Sequence, residues 1–185
     1  MTLGAADAWD QSATNALEDR FATLPTPVSA ETVLVVGLAV GILVGGAIGM
    51  ALLVARRGRY ALFWAATASG VLLLDPLLKE VFRRPSVSGE GYSFPSGTAM
   101  LSMAALAAGL VLVRPGWLRA IVLATGGLLV IAVGLSLVYV QWHYPSDVLA
   151  GWCAAIVWVA LVWSAIGAER RDDRPHPRAG PGLDE

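Results

Sequence analysis

Long apolar stretches constrain this chain more than any other feature. Residues 33–55 contain no charged side chain, and a helix of that length, rising about 1.5 Å per residue, covers the roughly 30 Å hydrocarbon core of a bilayer. Of the 185 residues, 56% are hydrophobic and 15% are charged, whereas soluble domains carry roughly 25% charged residues. A soluble fold would lack polar side chains for its surface, so the sequence predicts an integral membrane protein.

Four more apolar stretches follow the first one. Polar junctions rich in arginine, glycine and proline separate them, and such residues are typical of turns and loops. The predicted spans are residues 33–55, 60–78, 96–113, 120–142 and 148–166. The expected fold class is therefore all-α, a bundle of five transmembrane helices with an N-terminal surface helix.

The two ends of the chain are more polar than the middle. Residues 1–31 are mixed and polar, with five acidic side chains against Arg20 alone, and they lack the basic start of a secretory signal peptide, so they predict an amphipathic or surface helix. Residues 32–167 form the predicted five-span membrane domain. Residues 168–185 are rich in proline, aspartate and arginine, and a segment with so little apolar surface is expected to be a disordered cytoplasmic tail.

The basic residues predict an orientation. Nine of the 13 Lys and Arg residues lie at the junctions after odd-numbered spans, and the positive-inside rule places those junctions and the C-terminus in the cytoplasm. High usage of Ala, Gly, Val and Arg points to a bacterial plasma membrane. Lys79, Arg83 and Arg84 then lie on the outer face, where this rule would not place them, so they require another explanation.

Charge and cysteine content exclude several classes of protein. The net charge of −1 and the pI of about 6.1 argue against a nucleic-acid partner, because a phosphate backbone requires a basic surface. The single cysteine, Cys153, excludes an internal disulfide framework and a cysteine-based metal cluster. We expect no metal and no cofactor, and membrane lipids are the predicted surroundings.

Five spans bring four polar segments to one membrane face: the ends of spans two and four, and the starts of spans three and five. Ionisable groups in a helical membrane bundle are energetically costly and usually functional, so their convergence predicts an active site. The residues concerned are Asp75, Lys79, Arg83, Arg84, Ser96, Gly97, Thr98, Ser136, His143 and Asp147.

Phosphate chemistry fits these residue types. Lys79 and Arg84 are cations for phosphate oxygens, and a helix that starts at Ser96 offers backbone N–H donors. His143 and Asp147, four residues apart, suit a histidine nucleophile or base that a carboxylate orients. Asp147 equally suits a helix cap or first-turn acid, and His143 taken alone equally suits an interfacial structural histidine. Asp75 lies four residues before Lys79, a spacing that predicts an ion pair on one helix face.

Three segments resemble, in order and spacing, the motifs of the type 2 phosphatidic acid phosphatase family. They are Lys79-Glu-Val-Phe-Arg-Arg-Pro85, Phe94-Pro-Ser-Gly-Thr98 and Ser136-Leu-Val-Tyr-Val-Gln-Trp-His-Tyr-Pro-Ser-Asp147. The resemblance implies a helical membrane enzyme that hydrolyses lipid phosphates or diphosphates without metal, through a phosphohistidine. It makes His143 the nucleophile and Asp147 its orienting partner. The phosphate-binding residues it leads us to expect are Lys79, Arg84, Ser96, Gly97, Thr98 and Ser136.

The chain departs from the family pattern at three positions. Ser86 stands where the first motif has its arginine, Thr98 where the second has its acid histidine, and Leu137 where the third has an arginine. A general acid typically raises the rate by about 10²- to 10⁴-fold. Its loss slows the departure of an alkoxide more than that of a phosphate, because a phosphate is a far less basic leaving group. We therefore expect a phosphatase that favours lipid diphosphates, such as prenyl diphosphates. The alternatives are a non-catalytic relative that binds or transports phosphorylated lipids, and a purely structural scaffold.

Overall fold

A computed structural model describes residues 4–21, 35, 50–51, 55–87, 89 and 91–172. In these residues the fold is all-α, as predicted. The predicted first span, residues 33–55, lies almost entirely outside the described residues, as does the tail from residue 173. The helices are α1 (Gly4–Phe21), α2 (Gly58–Phe82), α3 (Gly97–Leu112), α4 (Trp117–Tyr139) and α5 (Pro145–Asp172).

Three helices in the described part are long and apolar enough to cross a membrane. These are α2, α4 and the portion Pro145–Ile166 of α5. Helix α3 has 16 residues and extends about 24 Å at 1.5 Å per residue, which is short of the hydrocarbon thickness. Helix α5 continues through residues 168–172, where the tail was expected to begin, because no glycine or proline interrupts Ala-Glu-Arg-Arg-Asp.

Helix α3 lies at the centre of the bundle, in contact with α2, α4 and α5. Its alanines Ala99, Ala104 and Ala108 are buried, and small side chains of this kind let neighbouring helices approach closely. Large apolar side chains such as Leu72 and Leu128 lie instead on the outside of the bundle. That distribution is the one expected for helices in lipid.

The starts of α3 and α5 are joined directly. The backbone N–H of Ser96 donates to the carbonyl of Asp147 over 3.0 Å. A Cβ atom on Gly151 would lie 2.6 Å from the carbonyl oxygen of Ser96, so this close approach requires glycine in α5. The contact sets the distance between the second and third sequence motifs.

Helix α1 is docked on α4 and α5. Its Leu17 packs against an apolar cluster of Ala99, Leu137, Val138 and Val148. The helix expected within residues 1–31 is therefore present, and it is more than a surface element, because its Asp10 is completely buried.

Candidate active site

A cavity of about 320 Å³ opens between α2 and α3, a volume within the range of small-molecule sites. The polar residues lie toward the end of α2 and the start of α3, and the apolar residues lie further from these helix ends. Its lining residues are Val71, Leu72, Asp75, Lys79, Gly97, Thr98, Leu101 and His143. This wall suits an amphiphile with a charged head and an apolar chain.

The cation of the cavity is paired within its own helix. Lys79 Nζ lies 3.0 Å from Asp75 Oδ2, and both side chains are 28% exposed, which confirms the pair predicted from their spacing. Asp75 Oδ1 has no hydrogen-bond partner among the described residues. A Cβ atom on Gly97 would lie 2.5 Å from this oxygen, so a larger residue at the start of α3 would require the Asp75 side chain to move.

The histidine and aspartate of the third motif meet behind this cavity. His143 Nδ1 lies 3.6 Å from Asp147 Oδ2, which is too long for a hydrogen bond; such contacts often tighten when substrate binds. Asp147 is the third residue of α5, and its Oδ2 accepts from the backbone N–H of Tyr144 over 3.1 Å. Asp147 therefore caps its helix, as a residue at this position can, and also faces the histidine.

Arg84 lies away from the cavity wall, in a buried network. Its Nη1 donates to Asp147 Oδ1 over 2.9 Å and its Nη2 to Asp10 Oδ2 over 2.6 Å. The guanidinium stacks 4.3 Å above the ring centroid of Tyr144, and its side chain is 11% exposed. In this structure Arg84 pairs with two buried carboxylates, and the phosphate contact expected for it from the sequence stays a prediction.

The remaining predicted residues fall into two groups. Gly97 and Thr98 line the cavity beside Lys79 and His143. Ser96 is buried as the N-cap of α3 and accepts from the backbone N–H of Ala99, while the Ser136 hydroxyl donates to the carbonyl of Ala132 over 2.8 Å. The structure thus brings Lys79, Gly97, Thr98 and His143 together in one wall, whereas the described hydrogen bonds of the Ser96 and Ser136 side chains lie within their own helices.

Sequence reasoning missed Asp10. The available signal was the acidic character of residues 1–31 together with three unexplained cations on the same predicted face. In the described ranges, no three His, Cys, Asp or Glu side chains gather closely enough to hold a metal ion.

Comparison with known proteins agrees with the motifs. The family model described as the PAP2 superfamily matches residues 32–171. The chain belongs to the PAP2 superfamily. A solved structure with the same fold is titled "Crystal structure of the first transmembrane PAP2 type phosphatidylglycerolphosphate phosphatase from Bacillus subtilis". It aligns with a TM-score of 0.66 and 24% identity over 90% of this chain and 89% of the other. No curated protein matches the chain.

The three departures of this PAP2 protein lie in different environments. Ser86 is in the turn after α2, where its N–H donates to Gly91 and its carbonyl accepts from Gly89. Thr98 is half-buried in the cavity wall. Leu137 is completely buried in the apolar cluster beneath α1. Of these three positions, Thr98 is the one that lines the cavity.

Proposed function

We propose that this PAP2 protein is a metal-independent phosphatase of lipid phosphates with His143 as its nucleophile. The observation that carries the proposal is the placement of Lys79 and His143 in one cavity whose other end is lined by apolar side chains. A membrane lipid with a phosphorylated head matches both ends of such a cavity. The excess of basic residues at the opposite junctions supports an extracytoplasmic position for this site.

His143 would react through its Nε2 atom. Nδ1 faces Asp147, and a carboxylate at that position favours a proton on Nδ1, which leaves Nε2 with the free electron pair. Nε2 attacks the terminal phosphorus, the bond from phosphorus to the leaving oxygen breaks, and that oxygen takes the electron pair. Water then attacks the phosphohistidine, the P–N bond breaks, and inorganic phosphate leaves.

Lys79 and the start of α3 would hold the reacting phosphate. Lys79 exchanges its bond with Asp75 for one with a phosphate oxygen, and the N-terminus of α3 presents backbone N–H groups at Gly97 and Thr98. This exchange breaks an ion pair and leaves the Asp75 carboxylate beside a bound anion, which costs free energy. Substrate binding is therefore expected to be modest in affinity.

The preference for diphosphates follows from Thr98. A threonine hydroxyl is too weak an acid to protonate a departing alkoxide. A phosphate leaving group is far less basic and departs without an acid. Lipid diphosphates are thus the proposed substrate class, with prenyl diphosphates as one example.

Phosphate release from matched lipids tests this proposal. Detergent-purified protein is incubated with EDTA and either a lipid monophosphate or the diphosphate of the same chain. We expect release from the diphosphate to exceed release from the monophosphate by at least about 10-fold, since general acid catalysis is typically worth about 10² to 10⁴. Faster hydrolysis of the monophosphate would contradict the proposed preference.

Binding without turnover is the second candidate. The Asp75–Lys79 pair favours it, because Lys79, the proposed phosphate-binding cation, is already paired with a carboxylate. Folded protein that binds the lipid diphosphate but releases no phosphate above the His143→Ala background would establish this alternative. Absence of both binding and release would leave a structural role.

Introducing a histidine at position 98 is expected to restore the missing acid. Thr98 lines the cavity with His143 and is half-buried, so a larger side chain can extend into open space. Thr98→His should raise monophosphate hydrolysis by about 10² and change diphosphate hydrolysis by less. Thr98→Asn, which adds bulk without an acid, is the control, and equal gains in both variants would refute an acid role.

A further inference from the structure

The N-terminal helix contributes a buried carboxylate to the back of the site. Asp10 is 0% exposed. Its Oδ1 accepts from the backbone N–H of Ser146 over 2.9 Å, and its Oδ2 accepts from the Ser146 hydroxyl over 2.6 Å. The same Oδ2 pairs with Arg84 Nη2 over 2.6 Å. Asp10 therefore caps the first turn of α5 from another helix, where a negative charge is favourable.

Arg84 is shared between two buried acids. Nη1 donates to Asp147 and to the Ser146 hydroxyl, and Nη2 donates to Asp10. The other oxygen of Asp147 faces His143. Charges with so little solvent around them interact strongly. The division of the Arg84 charge between Asp10 and Asp147 thus affects how strongly Asp147 interacts with the histidine.

We propose that Asp10 is a positioning residue of the active site and that α1 is the cap that delivers it. By binding one side of the Arg84 guanidinium, Asp10 reduces the pull of Arg84 on Asp147. The Asp147 carboxylate can then hold His143 and stabilise the positive charge on the imidazole ring of the phosphohistidine. Without Asp10, more of the Arg84 charge acts on Asp147, which weakens the hold of Asp147 on His143. This inference rests on the proposed function of His143.

A double-mutant cycle of Asp10 and Arg84 tests the inference. The proteins are wild type, Asp10→Asn, Arg84→Gln and the double variant, each measured for kcat, KM and Tm in detergent. Asp19→Asn, an exposed position on the same helix, is the matched control and should leave all three values unchanged. The substrate is the lipid diphosphate that wild type hydrolyses.

We expect Asp10→Asn to lower kcat by up to about 10²-fold, because a small misplacement of a reactive group can cost that much, with KM within about twofold. In the Arg84→Gln background no cation remains to shift toward Asp147, so the same change should leave kcat unchanged. Its effect on Tm should reverse. Asp10→Asn lowers Tm in wild type by removing a partner of Arg84, and raises Tm in Arg84→Gln by removing one of two unneutralised carboxylates.

Three results would overturn the inference. Equal losses of kcat in both backgrounds would mean that Asp10 does not act through Arg84. A rise in KM with kcat preserved would make α1 a substrate contact, and a fall in Tm in both backgrounds would refute the charge sharing. Wild type without turnover would remove the proposed function and the catalytic role of Asp10 with it. The reversal of Tm would still decide, separately, whether Asp10 and Arg84 are coupled.

Discussion

Replacing His143 with glutamine is expected to reduce phosphate release by about 10⁴-fold or more, because a glutamine amide cannot form the covalent intermediate. The fold should persist, because the backbone N–H of His143 donates to the carbonyl of Leu137 over 3.3 Å and the substitution leaves this hydrogen bond in place. Release of inorganic phosphate from the preferred lipid, with EDTA present, is the measurement.

The chain offers a matched control for this change. It contains two histidines, and His176, in the tail, is not part of the proposed mechanism. His176→Gln should retain full activity and should still form a phosphorylated protein that is stable in alkali and labile in acid, as a phosphohistidine is. Labelling that survives His143→Gln, or activity within tenfold of wild type, would refute the assignment of the nucleophile.

The membrane helices were predictable because lipid imposes a strong requirement. A spanning segment must satisfy its backbone internally and expose apolar side chains, and both demands are visible in the apolar stretches. The helix ends were less predictable. Helix α2 continues beyond residue 78 to Phe82, and α5 begins at Pro145 where residue 148 was expected. Hydropathy shows where the apolar stretch ends, whereas a helix can continue into polar residues until its backbone hydrogen bonding is interrupted.

The site was predictable where its partners are close in sequence. Asp75 and Lys79 are four residues apart, and so are His143 and Asp147. Side chains at this spacing in a helical segment lie close together. The contact of Asp10 with Arg84 is a different case. It joins a polar helix to the bundle across 74 positions, and neither periodicity nor hydropathy indicates where such a helix docks.

The cations that the positive-inside rule left unexplained have acidic partners in the structure. Lys79 pairs with Asp75, and Arg84 with Asp10 and Asp147. Exposed Arg83 lies 3.3 Å from Glu80. These cations are thus paired locally, so they add little net positive charge to that face and do not contradict the predicted orientation.

Restoring the third motif by Leu137→Arg is expected to destabilise the protein. Leu137 is 0% exposed and lies among Ala99, Val138 and Val148 under the Leu17 side chain of α1. A guanidinium there would be a buried charge in an apolar cluster, which costs about 3–5 kcal/mol in the free energy of unfolding when it has no partner. Thermal unfolding in detergent should show a large fall in Tm, and phosphate release should fall with it.

Leu137→Met separates charge from shape at this position. A substitution that keeps the volume usually costs under about 1.5 kcal/mol, so this variant should retain its Tm and its activity. If Leu137→Arg instead folds like wild type and releases phosphate faster, the introduced cation must reach the cavity, and α4 must lie rotated relative to this structure. The contrast with Thr98→His follows from position: residue 98 lines the cavity, whereas residue 137 forms the surface on which α1 docks. We therefore expect a single substitution to restore the histidine of the second motif at position 98. Restoring the arginine of the third motif at position 137 would also require α1 and α4 to repack.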